Sequence, residues 1–207
     1  GQSSARNFGV QHSRSNLIAL LDQDDGWYPD HLEKLIIPFQ TGGYRKLGWV
    51  YSDLDHCDRF GQLHTHCMLR HAPQTHPKEM LTRCLAEDMF VLPSASLISR
   101  EAFEAVGKFD ERLSGYEDDD LFLRLFHAGW QNVFLPEALS FWCIYPGSTS
   151  FSPRMVRSRM IYFDKLRDTF AADPSFNFDP MQHLIVPRFL QHFLPDIERA
   201  ERTNNTE

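Results

Sequence analysis

Apolar positions along the chain switch between two spacings. The run Leu17-Ile18-Ala19-Leu20-Leu21 is continuous and ends in acids, as expected of a buried strand in a parallel sheet. Asp22 to Gly26 is then the loop at that strand's C-terminal end. After Pro29 the spacing becomes helical, with Leu32, Leu35, Ile36 and Phe39 on one face, and Gly42-Gly43 ends it. Trp49-Val50-Tyr51 predicts a second short strand running into Ser52-Asp53-Leu54-Asp55. Residues 56–78 read as irregular, rich in histidine and proline, and 79–86 as helical. Ser94 to Ser99 predicts a strand and Arg100 to Val106 a helix stopped at Gly107.

The first helix is placed at Ala5 to Ser13 and the strongest at Tyr116 to Ala128, stopped by Gly129. Val133 to Ile144 holds one or two strands, and Pro146-Gly147 a turn. From Pro153 to about Ala171 a helix carries the stripe Val156, Met160, Phe163, Leu166 and Phe170. That stripe suits docking on the sheet, and its basic flank also suits peripheral contact with a membrane. Pro187 and Pro195 are expected to break the last helical segment, and 201–207 reads as a frayed tail. Strands alternating with helices indicate an α/β fold, whose ligands sit beyond the strand C-termini.

Composition narrows the classes. The 207 residues carry 21 Lys+Arg against 28 Asp+Glu, a net charge of −7, which argues against a nucleic-acid footprint. No apolar run approaches the roughly 20 residues of a transmembrane helix, and no signal-peptide pattern opens the chain. Cys57, Cys67, Cys84 and Cys143 form no CxxC pair, which predicts a reducing, cytoplasmic setting, with the inner membrane face as a variant.

Two acidic clusters carry the candidate chemistry. Asp22, Asp24 and Asp25 repel one another unless solvated or neutralised. Oxygen ligands of this kind suit Mg2+ or Mn2+ bridging to a diphosphate. A solvated turn capping the next helix is the plainer reading. An aspartyl phosphatase, with Asp22 as nucleophile and Asp24 as acid, is a third. An EF-hand is excluded, because the fifth loop position is Gly26 rather than an acid. The second cluster, Glu117-Asp118-Asp119-Asp120, heads a helix, where the dipole favours anions. Asp118 shares the face of Leu121, Phe122 and Leu125, so it points inward and can accept a proton, while Asp119 and Asp120 are rotated away. The dipole is expected to keep Asp118 ionised. His56, Cys57, His64, His66, Cys67, His71 and His76 form a third group, read as a polar loop or a zinc site using His64 and His66. Trp27, Trp142 and Tyr145 are candidate sugar platforms or ordinary core aromatics.

In this order, SSARNFGV, LIALLDQDDGWYPDHLEKL and LPSASLISREAFEAVGKFDERLSGYEDDDLFLRLFHAGW resemble family 2 glycosyltransferases of the GT-A fold, over about Gly1 to Ser150. The resemblance implies a mixed sheet flanked by helices, with 1–150 as the catalytic portion and 151–207 a helical segment packed on it. It implies inverting transfer of a sugar, of hexosyl type, from a nucleotide-diphosphate donor to a hydroxyl of a glycan or other acceptor. UDP-sugars are the expected donors and polysaccharide biosynthesis the expected setting. Asp24 and Asp22 match the metal ligands of the DxD motif, for Mn2+ or Mg2+. Arg6, Asp22 and Asp25 match donor contacts. Asp118 matches the general base, with Glu117 and Trp142 near the acceptor. Two departures accompany it. The family's opening βαβ unit, which contacts the nucleotide base, does not precede ARN here, so an N-terminally truncated domain with weak donor affinity is expected. Tyr145 stands where a metal-binding histidine is common, and Cys143 where an arginine is. A catalytically inactive relative that binds a glycan or a protein is the expectation from another class.

Overall fold

The computed structural model describes residues 1–58, 60–144 and 153–203, and the side chains of all of these but 153 and 195–203. In chain order the elements are α1 (Gln2–His12), β1 (Leu17–Ala19), β2 (Gly26–Trp27), α2 (His31–Leu35), α3 (Ile37–Thr41) and β3 (Leu47–Cys57). There follow β4 (Leu63–Thr65), α4 (Met68–His71), α5 (Leu81–Ala86), a 3-10 turn at Pro93–Ala95, β5 (Ser96–Ser99) and α6 (Arg100–Ala105). The chain continues through α7 (Glu117–His127), β6 (Gln131–Cys143), α8 (Pro153–Phe170), a π-helical turn at Met181–Ile185 and α9 (Val186–Thr203).

Five strands run in the order β1-β5-β3-β6-β2, with β4 added to β3. Only β3 and β6 are parallel; the other pairings are antiparallel. The sheet is therefore mixed. The Leu17–Leu21 run is corrected: its strand stops at Ala19 and pairs antiparallel with β5, and Leu21 is exposed.

The central strand β3 is far longer than its apolar triplet predicts. It is buried on both faces, as a central strand must be, and it carries Ser52, Asp53 and Asp55 inside. Those carboxylates are tolerated because each is hydrogen-bonded. Asp53 accepts the backbone N–H groups of Leu54, Leu69 and Arg70, which ties α4 to the strand. Asp55 accepts from Tyr28 and from the backbone of Cys67.

Alternation along β3, interrupted by an irregularity at Asp53, divides the core. Trp49, Tyr51 and Leu54 face a large cluster with Phe103, Phe122, Tyr162, Phe170 and Phe189. Val50 faces a smaller one with Leu35, Leu97 and Leu139. The predicted single helix after Pro29 is split into α2 and α3 near Pro38, which supplies no N–H, and Leu32 is exposed. In α8 the buried side chains include Tyr162, Leu166 and Phe170, while Val156 and Met160 are exposed, so the expected stripe holds only in its second half. Helix α9 runs through Pro187 and Pro195 without a break. Pro187 lies just after the junction of the π-helical turn with α9. Its Phe189 is buried in the large cluster.

Candidate active site

Three elements converge on one cleft. The loop after β1 brings Asp22, Asp24 and Asp25, α7 brings its N-terminal acids, and the end of β6 brings Trp142 and Cys143. The cleft encloses about 650 Å³. Asp24 and Asp118, 94 positions apart by their numbers (118 − 24), both line it.

Arg6 of α1 ties the two acidic clusters together. Its Nη2 lies 2.6 and 2.7 Å from the two carboxylate oxygens of Asp22, and its Nη1 2.8 Å from Oε1 of Glu117. Burial opposes the charge on Arg6, but Asp22 and Glu117 outweigh it and raise its pKa. Gln2 also donates to Glu117, whose Oε2 is buried without a partner.

Asp25 is held differently. Ser94 Oγ donates to it at 2.6 Å and the backbone N–H of Cys143 at 3.2 Å, so the acidic loop is pinned to the end of β6. Burial pushes its carboxyl up to about 6, against the two hydrogen bonds. Trp27 Nε1 donates to the Ser94 carbonyl at 2.7 Å, so of the two readings of this residue the structural one, a strut, has a contact behind it. Trp142 does line the cleft, edge-on to Phe90. Tyr145 and the PGSTS segment lie outside the described residues.

The acids of α7 divide by partner. Asp119 accepts from Arg188 at 2.6 Å, from Tyr162 at 2.5 Å and from the Met89 backbone N–H. Asp120 pairs with Arg124 at 2.7 Å and Lys165 at 2.5 Å. Both are buried, so the expectation that they are turned away from the interior is corrected: α8 and α9 cover the face they occupy. Asp118 is half-buried, and among the described residues it has no ion-pair partner. The Asp119 backbone N–H donates to it. Burial, then the charges of Glu117 and Asp119, hold its carboxyl well above the usual range. The expected lowering by the helix dipole is thus overturned, because desolvation and like charge are the larger effects here.

Arg188 and Tyr162 were not apparent as site-supporting residues in the sequence. Each lies in a C-terminal helix, far in sequence from Asp119, and no local spacing links them.

The residues suit a hard divalent cation shared with a ligand better than a closed cage. Their donors are oxygens only, and Asp22, Asp24 and Asp25 do not bring three ligand atoms within 4.8 Å of one another. Both oxygens of Asp22 are engaged by Arg6, which also makes it an unfavourable nucleophile for a phosphatase. Asp24 stands half-buried on the cleft wall.

Residues 1–143 match the model of the family described as "Glycosyltransferase like family 2". The chain belongs to that family. An uncharacterized glycosyltransferase of Bacillus subtilis (strain 168), YwdF, is 28% identical over 134 residues, covering 60% of this chain and 44% of the relative. The solved structure of the mannosyltransferase PcManGT from Pyrobaculum calidifontis, in complex with GDP-Man and Mn2+, superposes with a TM-score of 0.53 at 15% identity. It covers 93% of this chain and 50% of its own, and it shares the GT-A-like fold. The chain thus spans about half the length of the relatives it matches. Within the family-matched span lie Arg6, Asp22, Asp24, Asp25, Glu117, Asp118 and Trp142. No described helix is long and apolar enough to cross a membrane.

Proposed function

We propose that the cleft transfers a hexose from a nucleotide-diphosphate donor, UDP-sugar first, to an acceptor hydroxyl with inversion at the anomeric carbon. The observation that carries this is the contrast within α7: its neighbouring acids are spent on cations, while Asp118 faces the cleft without one among the described residues. A carboxylate raised by burial is a stronger base than an exposed one. Asp118 takes the proton of the acceptor hydroxyl as that oxygen attacks. Glu117, locked to Arg6, cannot compete for the proton, and it keeps the Arg6 guanidinium beside Asp22 on the donor side.

Asp24, with Asp25 behind it, would hold Mn2+ or Mg2+, which when bound neutralises the charge on the departing diphosphate. Arg6, its charge shared with Asp22 and Glu117, offers guanidinium N–H donors at the same end. Trp142 offers an apolar wall for the acceptor ring. Residues 1–150 form the catalytic portion in this reading, and 151–207 the helical segment that backs α7. A glycan is the expected acceptor.

Calorimetric titration of Mn2+ and UDP- and GDP-sugars into this chain, and into the polypeptide of the relatives' length, tests the reading together with turnover. Asp118→Asn should lower transfer about 10²- to 10⁴-fold and leave donor affinity within about threefold. Loss of donor binding in Asp118→Asn would remove the base assignment. If the longer protein bound neither metal nor nucleotide sugar, the transferase reading would fall, and the catalytically inactive relative would stand.

A further inference from the structure

Outside the cleft, the described residues bring three potential ligands of different chemistry together. Ligand atoms of Asp55, His66 and Cys67 lie within 4.8 Å of one another. Asp55 belongs to β3, and His66 and Cys67 follow β4, so the hairpin pairing makes the juxtaposition. The expected partnership of His64 with His66 does not form. His64 turns to Asp58, its ring tilted against that of His56, while His66 turns to Asp55.

The geometry is ordered. His66 Nδ1 lies 2.8 Å from Asp55 Oδ1, and His66 Nε2 lies 3.4 Å from Cys67 Sγ. Donation from Nδ1–H to the carboxylate fixes the tautomer with the free lone pair on Nε2, the atom that faces sulfur. A carboxylate behind a histidine is the usual support of a metal-bound imidazole. Tetrahedral zinc, with bonds of about 2.0–2.1 Å to nitrogen and 2.3 Å to sulfur, places these two ligand atoms roughly 3.5 Å apart. The observed spacing is close to that without rearrangement. Asp55 is itself anchored by Tyr28 Oη at 2.7 Å and the Cys67 backbone N–H at 2.9 Å. Cys67 is buried, but the His66 side chain is 68% exposed, so an ion reaches the sulfur along the imidazole.

We infer that His66 Nε2 and Cys67 Sγ bind a zinc-class divalent cation, with Asp55 as the residue that orients the imidazole and water in the remaining positions. Nitrogen and sulfur donors select zinc or cobalt over the hard cations that the all-oxygen loop of the cleft suits, so the two sites take different metals. On binding, the Cys67 S–H bond breaks, its proton goes to solvent, and a metal–sulfur bond forms with no change of oxidation state. The ion would fasten the β4–α4 segment onto the central strand.

Titrating Co2+ into the metal-stripped protein tests this. A near-ultraviolet thiolate-to-cobalt charge-transfer band should develop to one equivalent and be bleached by Zn2+. His66→Ala and Cys67→Ser should abolish it, Asp55→Asn should weaken binding about 10- to 100-fold, and Asp24→Asn should leave it unchanged. His66 is exposed, so His66→Ala decides the matter if Cys67→Ser fails to fold. No band in the parent protein would overturn the proposal. So would a band that persists in His66→Ala or Cys67→Ser, which would place the metal at Cys57 and Cys143, whose sulfurs lie 2.8 Å apart.

Discussion

At the scale of single residues, the cleft is built from carboxylates that share a residue type but not an environment. Asp22 is bound to a guanidinium, Asp25 is half-buried between a hydroxyl and an amide, and Asp118 has the helix terminus and two like charges. Asp25 yields a pH prediction. Its folded pKa of about 6 lies above the ordinary carboxylate range, so between roughly pH 4 and 6 the folded state binds more protons than the unfolded chain. Its contribution is fully present below that window and is lost as pH rises through it. Asp25→Asn keeps an oxygen for the Cys143 amide and offers an N–H to Ser94. It should therefore stabilise the protein at pH 7 by on the order of 1–2 kcal/mol, after allowance for solvent screening, and flatten this part of the pH dependence. Urea unfolding at pH 4, 5, 6 and 7 checks this; an unchanged slope would mean that Asp25 is ionised throughout. The identity of these acids was visible in the sequence, because DQDDG and GYEDDD are local strings. Their environments were not, because Ser94, Cys143, Arg188 and Tyr162 come from distant segments.

At the scale of elements, α7 is held at its N-terminus by opposite charges from both directions in the chain. Arg6 reaches it from α1, Arg188 from α9 and Lys165 from α8. Helix positions were legible because their periodicity and stop signals are local: Gly107 and Gly129, both at positive φ, close α6 and α7 near the expected places. Strand lengths were less so. The polar residues of β3 broke the pattern, and only the backbone donors that meet Asp53 and Asp55 explain their burial. Close approach also escaped notice: a Cβ at Gly115 would meet the Met155 side chain of α8, which lines the cleft beside it. The clamp between α7 and α9 predicts a large effect. Arg188 and Asp119 are both buried, and Arg188→Met would strand the Asp119 carboxylate, at a cost of about 3–5 kcal/mol in chemical denaturation. Adding Asp119→Asn should recover part of that loss. If the double variant is no better than the sum of the singles, the pair is not coupled.

At the scale of the whole molecule, the charge balance governs what the cleft can accept. Asp22, Asp24, Asp25, Asp88, Glu117, Asp118 and Asp119 line it, and Arg6 is the one Lys or Arg among its described lining residues. The net charge of the whole chain, −7, has the same sign. A nucleoside diphosphate entering such a cleft meets repulsion of order 4 kcal/mol for each unpaired charge at about 4 Å in a medium of effective dielectric near 20. Arg6 offsets little of this, since Asp22 and Glu117 already compensate it. On the proposed reading, a divalent cation therefore enters before, or together with, the nucleotide. With chelator present, UDP or GDP affinity should fall at least about 100-fold, and the residual binding should strengthen as salt rises, because screening weakens repulsion. With Mn2+ present, added salt should have the opposite effect, since it then screens an attraction. Equilibrium dialysis across an ionic-strength series, with and without Mn2+, separates the two regimes. Equal nucleotide affinity in chelator and in Mn2+ would show that the acids around Asp24 are not where the diphosphate lies, and the division of labour between Asp24 and Asp118 would have to be abandoned.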